Sequence, residues 1–251
     1  MNTRRLAYLL LGCVILMCVW EMLGRYGILG KTFPALSQVA HVFADNPRRA
    51  LLLRSMAATL SSAAAGYLAG MCLGIGVAML AHLVPLLRGG LDRLAVLVNA
   101  LPVIALAPLL IITAGREGTP AALAAIPVFF LMYSSTTSGL HSASPSLTRV
   151  FVSLGASRWQ RLVHLEGIAA LPSLLSGMKI SAGSAMIGAI VGEWFGAPSG
   201  LGVVVINSMQ NFQTPLLWAT VIVIAAITLA AYGALTLGER MVRRGIGECG
   251  V

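Results

Sequence analysis

The chain has 251 residues, of which 58% are hydrophobic and only 10% are charged, and its mean hydropathy is +0.89. Water-soluble domains carry about a quarter charged residues, so a soluble fold with this composition would expose large apolar areas. The net charge of +9 does not indicate nucleic-acid binding, because the basic residues are spread between apolar runs rather than clustered on one face. The composition predicts an all-α integral membrane protein.

Six apolar segments are long enough, or nearly so, to cross a hydrocarbon core as helices of about 20 residues. They lie at residues 6–23, 57–80, 94–114, 119–140, 171–195 and 215–238. The first follows Arg4 and Arg5, as in a signal peptide, but it is long for one and no Ala-x-Ala cleavage site follows. We therefore expect an uncleaved N-terminal transmembrane helix within residues 1–30 and about six transmembrane helices in all.

A more polar stretch, residues 31–55, separates the first two spans. Its apolar residues Leu36, Val39, Ala40 and Phe43 recur at helical spacing, which is typical of a helix lying on a membrane surface. We expect an amphipathic segment at the outer surface over residues 31–55, followed by a core domain over residues 56–245.

Small residues recur at every fourth position in two spans. They are Gly66, Gly70 and Gly74 in the second span, and Ser184, Gly188 and Gly192 in the fifth. Such stripes let helix backbones approach closely. Two interpretations are open, namely packing within one bundle and packing at the axis of a dimer.

The distribution of basic residues predicts that both termini are cytoplasmic. With the N-terminus inside, the inner side receives Arg4, Arg5, Arg88, Arg93, Arg149, Arg158, Arg161, Arg240, Arg243 and Arg244. The outer side receives the smaller set Arg25, Lys31, Arg48, Arg49, Arg54 and Arg116. Lys179 falls inside the fifth span, and its long side chain is expected to extend toward the inner surface.

The longest inner loop joins spans four and five. Ser144 followed by Pro145 is typical of a helix start, and Gly155 suits the left-handed residue that ends a helix. Ser157 and Gln160 have the spacing of a capping box, which starts another helix. The loop is thus predicted to form two short helices with a sharp turn at Gly155.

The second short helix carries apolar and basic side chains. Trp159 and Leu162 are three residues apart and so share a helix face, with Arg158 and Arg161 beside it. We expect this face to dock into one groove.

Three stretches carry a family resemblance. They are Leu154-Gly155-Ala156-Ser157-Arg158-Trp159-Gln160, then Ala170-Leu171-Pro172-Ser-Leu-Leu-Ser-Gly177-Met-Lys179-Ile180, and Gly192-Glu193-Trp194-Phe195-Gly-Ala-Pro-Ser-Gly200-Leu201-Gly202. They resemble binding-protein-dependent ABC importer permeases, above all the branch that imports taurine, aliphatic sulfonates, nitrate, and riboflavin or pyrimidine precursors. Two departures stand out. Arg149-Val150-Phe151 replaces the family's Glu-Ala-Ala, and Gly167-Ile168 replaces the first of two Leu-Pro pairs.

The resemblance implies a type I-like ABC importer permease fold, with a cytoplasmic coupling loop at about residues 141–168 that fits a groove on an ATPase. The ATPase-coupling residues would be Gly155, Ala156, Ser157, Arg158, Trp159, Gln160, Arg161 and Leu162. It also implies a multi-pass protein of the bacterial inner membrane. Its partners would be two ABC ATPase subunits, a second copy of the permease and an extracytoplasmic solute-binding protein that delivers a small anionic or heterocyclic solute.

The sequence has no Gly-x-x-x-x-Gly-Lys-Ser/Thr phosphate loop. We therefore expect ATP and Mg²⁺ to bind on the partner ATPase, no cofactor on this chain, and no enzymatic activity of its own. The four cysteines and four histidines show no metal-ligand spacing, so no metal site is expected.

Three residues are candidates for the translocation pathway or its gate. Glu193 lies in apolar surroundings in the fifth span, and an ionisable group at membrane depth suggests function. It is interpreted either as a structural partner of a backbone group or an arginine, or as a pathway or gate residue. Asn99, close to Pro102 in the third span, is another pathway candidate, the alternative being a hydrogen bond between helices.

Two other classes of protein are less well supported. A secondary transporter would more often show several intramembrane ionisable groups or a repeated half. An intramembrane protease of the rhomboid type would need a Gly-x-Ser-Gly nucleophile, whereas Thr136 stands where that glycine should precede Ser138.

Overall fold

The structure is a computed structural model that describes residues 3–28, 30 and 32–248, with side chains for residues 8, 11–28, 30 and 32–241. All regular structure in these residues is helical, which confirms the all-α class. The helices are α1 (Thr3–Arg25), α2 (Leu36–Ala44), α3 (Asn46–Leu83), α4 (Pro85–Ala100), α5 (Val103–Leu140), α6 (Pro145–Ser153), α7 (Arg158–Arg161), α8 (Gly167–Trp194), α9 (Leu201–Gln210) and α10 (Thr214–Glu248). Lys31, Cys249 and the side chains of Arg4, Arg5, Arg243 and Arg244 lie outside the described residues.

Four helical segments among the described residues are long and apolar enough to cross a bilayer. They are Asn46–Leu83, Val103–Leu140, Arg158–Trp194 and Thr214–Met241. The predicted count of about six spans is therefore not confirmed, although the predicted membrane character is. The second, fourth, fifth and sixth predicted spans all fall inside these segments or within one residue of their ends.

The predicted third span, residues 94–114, is wrong as a single helix. Helix α4 ends at Ala100 and α5 begins at Val103. Leu101 is extended, with φ −71° and ψ 128°, because the ring of Pro102 disfavours the helical conformation in the residue before it. Further along, Gly115 has φ +73° and ψ 172° and divides α5 into two helical halves. Only the half after this break corresponds to the predicted fourth span.

Helix α5 packs between α3 and α8, and the small-residue stripes are the reason these helices can approach so closely. A Cβ atom on Gly70 would lie 2.5 Å from the Ala125 carbonyl oxygen of α5. A Cβ on Gly192 would lie 2.5 Å from the Cα of Pro120, also in α5. Backbone contact of this kind requires glycine. The interpretation as packing within one bundle is therefore confirmed for these glycines.

The predicted surface segment divides between two helices. Helix α2 confirms the helix predicted from Leu36, Val39, Ala40 and Phe43. Its residues Val39 and Val42 pack in an apolar cluster with Leu52, Leu201 and other residues of α9 and α10. The remainder belongs to α3, which begins at Asn46. The predicted boundary at residue 55 was drawn where the side chains change from polar to apolar, whereas helix α3 continues through this position without a break.

Candidate coupling site

The turn at Gly155 has the predicted backbone geometry. Gly155 has φ +74°, and its N–H donates to the Val152 carbonyl oxygen while the Ala156 N–H donates to that of Phe151, both at 3.0 Å. This pair of bonds is a Schellman motif, which satisfies the last carbonyls of α6. Ser144 is the residue before α6, but its hydroxyl lies 2.7 Å from the Ser146 hydroxyl and caps no backbone N–H.

The capping box is also confirmed. The Gln160 N–H donates to Ser157 Oγ at 3.2 Å, and the Ser157 N–H donates to Gln160 Oε1 at 2.8 Å. The helix that starts here does not end after one turn, however. α7 passes through a π-turn, Leu162–Glu166, directly into α8. The second short helix predicted for the loop is therefore wrong as a separate element, since it is the first turn of a helix that runs to Trp194.

The predicted docking face of Trp159 and Leu162 is wrong. Trp159 is 57% exposed, but Leu162 is only 3% exposed and packs in a core cluster with Leu140 and Ala170. The spacing argument treated the loop as free in the cytoplasm. Because the helix continues into the bundle, Leu162 instead points at the ends of α3 and α5.

A different set of apolar side chains is exposed around the turn. Leu147 and Val150 of α6 and Leu154, the residue directly after it, occupy positions i, i+3 and i+7. All three are exposed, as is Trp159 beyond the turn. Positions with this spacing lie on one side of a helix. We call Leu147, Val150, Leu154 and Trp159 the coupling face. The other predicted coupling residues surround it, with Ala156 and Arg161 half-buried and Ser157, Arg158 and Gln160 exposed.

Two contacts attach this element to the end of α3. Arg158 Nη1 donates to the Leu83 carbonyl oxygen at 3.2 Å, a favourable place for a cation because helix carbonyls there are unpaired. Glu166 Oε2 lies 2.6 Å from His82 Nε2. Sequence reasoning missed the second contact, since its partners are 84 residues apart.

Glu193 is buried, with 2% exposure, and caps the start of α9. Its Oε2 accepts the Gly202 N–H at 2.7 Å, and Thr59 Oγ1 accepts the Leu201 N–H at 2.8 Å. A Cβ on Gly200 would overlap the carboxylate of Glu193. The first N–H groups of a helix have no partner within the helix, so an oxygen that accepts from one of them is stabilising. The contacts thus match the interpretation as a structural partner of a backbone group.

We predict a graded loss of stability at this position. Glu193→Gln keeps an oxygen that can accept from the Gly202 N–H, so it should cost at most about 1 kcal/mol. Glu193→Leu leaves the Gly202 N–H without its acceptor, costing about 1–3 kcal/mol more. Thermal unfolding of the detergent-purified protein should rank wild type above the Gln variant and that above the Leu variant. If both variants unfold at the wild-type temperature, Glu193 is not a helix cap.

The other two pathway candidates lie on a different part of the chain. Asn99 is on α4 and Pro102 is in the junction between α4 and α5, and both are exposed. The ammonium group of Lys179 pairs with the carboxylate of Glu239 on α10. Within the described residues, no group of three or more His, Cys, Asp or Glu side chains is placed to hold a metal ion.

The fold matches that of a solved ABC importer. A chain of the inward-facing methionine transporter MetNI aligns with a TM-score of 0.69, covering 79% of this chain and 99% of that chain at 16% identity. This match shows that the two chains share a fold. Residues 70–244 match the model of the family described as binding-protein-dependent transport system inner membrane component. The chain belongs to this family.

Curated relatives agree with this assignment. The formylaminopyrimidine transport permease ThiX of Halalkalibacterium halodurans is 28% identical over 224 residues, covering 88% of this chain and 89% of the relative. The taurine transport permease TauC of Escherichia coli is 31% identical over 78% of this chain and 70% of the relative. The chain is thus the membrane-spanning permease subunit of an ABC importer, and the two alternative classes are not favoured.

Proposed function

We propose that two copies of this chain form the pathway of an importer and that two ATPase subunits dock on their coupling faces. The proposed docking is supported by a contrast in exposure among the apolar side chains near the turn. Leu154 and Trp159 stay exposed around a turn whose geometry is fixed by Gly155, while Leu162 anchors its base in the core. A rigid apolar projection of this kind can both bind a partner and transmit its motion.

The nucleotide belongs to the partner in this proposal. This chain has no phosphate-loop sequence, so ATP and Mg²⁺ would bind on the ATPase, and hydrolysis there would drive transport. The permease itself then acts without enzymatic activity.

In the proposed topology, both termini lie on the cytoplasmic side of the membrane, which is also the side of the coupling face. The helical segment Arg158–Trp194 has 37 residues and is about 55 Å long, so its two ends lie on opposite sides of a hydrocarbon core of about 30 Å. Trp20, near the end of α1, contacts Trp218 near the start of α10, with ring centroids 5.2 Å apart. Tryptophans mark membrane interfaces. Both helices would therefore run between this outer interface and the cytoplasm.

The homodimer rests on the family resemblance. The glycine stripes do not support it, because they are used within the bundle. Asn99 and Pro102 are exposed, so they would line a pathway only between two copies. The solute is proposed to be a small anionic or heterocyclic molecule delivered by an extracytoplasmic binding protein, since relatives are named for formylaminopyrimidine, taurine and aliphatic sulfonates.

Native mass spectrometry tests the assembly. This chain would be co-expressed with an ABC ATPase subunit of its own organism and purified in detergent through a tag on the ATPase. We expect a complex of two copies of this chain and two ATPase subunits. A complex with one copy of this chain per ATPase pair would contradict the homodimer, and the absence of this chain from the purified ATPase would contradict the docking itself.

A further inference from the structure

The last turn of α3 is fastened to the coupling element at two points. Arg158, the first residue of α7, donates to the Leu83 carbonyl oxygen. Glu166, the last residue of the π-turn, contacts His82. The segment from Arg158 to Glu166, which follows the coupling face, is therefore attached at both of its ends to the last turn of α3.

The contact between His82 and Glu166 is half-buried, with the glutamate the more enclosed of the two side chains. Glu166 is 6% exposed, and a glutamate is almost never this buried unless it is paired. Glu166 Oε2 and His82 Nε2 lie 2.6 Å apart, a distance at which the two side chains share one hydrogen bond. Around the pair, Leu162 and Leu140 pack against Leu83. The apolar packing beside the pair lowers the local polarity, which strengthens the hydrogen bond relative to one in water.

The π-turn, Leu162–Glu166, gives a reason why the contact between Glu166 and α3 would be needed in addition to the bond made by Arg158. The Gly167 N–H donates to the Leu162 carbonyl oxygen, five residues back, and a Cβ at position 167 would lie only 2.7 Å from that oxygen. π-turns inside α-helices occur frequently at functional sites. This one interrupts the regular α-helical bonding between α7 and α8, and Glu166 fixes its far end to α3.

We propose that His82 and Glu166 are positioning residues for ATP-driven transport, which make the end of α3 move together with the coupling face. The motion would then enter the bundle through two helices, α8 by direct continuation and α3 through the His82–Glu166 pair, which adds to the bond from Arg158 to Leu83. From α3 it would pass to α5, because the two backbones are in contact at Gly70 and Gly74. This inference rests on the proposed docking of an ATPase at the coupling face.

Hydrogen–deuterium exchange of the complex with its ATPase, in nanodiscs, tests the pair. The nucleotide-free state is compared with the state trapped by ATP and vanadate. In the intact protein we expect a nucleotide-dependent change in exchange both at residues 158–167 and at residues 76–84. In Glu166→Leu and His82→Leu we expect the change at residues 158–167 to remain and the change at residues 76–84 to fall at least twofold. The double variant His82→Glu with Glu166→His, in which the two residues are swapped, should restore the change at residues 76–84.

Two further measurements keep the test decisive. Glu166→Asp retains the charge but shortens the side chain by one methylene, so it should lose the effect at residues 76–84 even if the leucine variants fail to assemble. Co-purification of the ATPase is measured for every variant and should stay at the wild-type level. The proposal is overturned if the change at residues 76–84 persists in Glu166→Asp, or is absent from the intact complex. Failure of the intact chain to bind the ATPase would instead refute the proposed function.

Discussion

Replacing Gly70 with leucine is expected to prevent assembly of the α3–α5–α8 bundle. A Cβ atom there would lie 2.5 Å from the Ala125 carbonyl oxygen and 2.8 Å from Val128 Cβ. The nearest atom belongs to the backbone of α5, so no side-chain rotation can relieve the clash. Overpacking a core costs about 1–3 kcal/mol, occasionally more, and a clash with backbone should exceed this range. The two long helices would have to separate.

The same helix provides the control. Gly76 has no atom within 4 Å of a Cβ placed on it and is exposed, so Gly76→Leu adds the same apolar side chain without a clash. We expect wild-type yield and a single sharp peak in size-exclusion chromatography of detergent extracts for Gly76→Leu. For Gly70→Leu we expect little or no monodisperse protein. Equal chromatograms for the two variants would show that α3 and α5 are not in backbone contact at Gly70.

Hydropathy identified the membrane segments because the cost of burying polar groups in lipid affects every residue of a span. It did not show where the helices end. The break at Leu101 results from one proline, and the continuation of α3 back to Asn46 occurs despite the polar residues Arg48, Arg49 and Arg54. Helix bonding continues regardless of side-chain polarity, so a boundary drawn from polarity alone misplaces such an end.

At the candidate site, local signals were sufficient where the structure is local. Gly155 and the box of Ser157 and Gln160 could be predicted because each involves residues within five positions. The pairs His82–Glu166 and Lys179–Glu239 join residues 84 and 60 positions apart. Nothing in a single sequence links such residues. Glu193 was recognised as unusual, but its role depends on where α9 begins.

Leu162 and Trp159 provide the sharpest test of the revised coupling site, because the same substitution should fail in two different ways. Leu162→Asp puts a carboxylate into the cluster formed by Leu140, Leu162 and Ala170. Burial of an unpaired charge costs several kcal/mol, so we expect loss of the folded permease. Trp159→Asp changes a side chain that is 57% exposed, so the fold should remain while an apolar contact with the ATPase is lost.

Two measurements on each variant separate these outcomes, namely the monodisperse yield of the permease and the amount of ATPase that co-purifies with it. We expect Leu162→Asp to reduce the yield of the permease strongly. We expect Trp159→Asp to leave that yield unchanged but to reduce the co-purifying ATPase at least tenfold, and a tenfold loss of affinity corresponds to about 1.4 kcal/mol of binding free energy. Leu154→Asp, at another exposed position of the coupling face, should behave like Trp159→Asp. If Trp159→Asp and Leu154→Asp both retain the ATPase at the wild-type level, the ATPase docks elsewhere, and the exposed apolar side chains around Gly155 serve another contact such as the membrane surface.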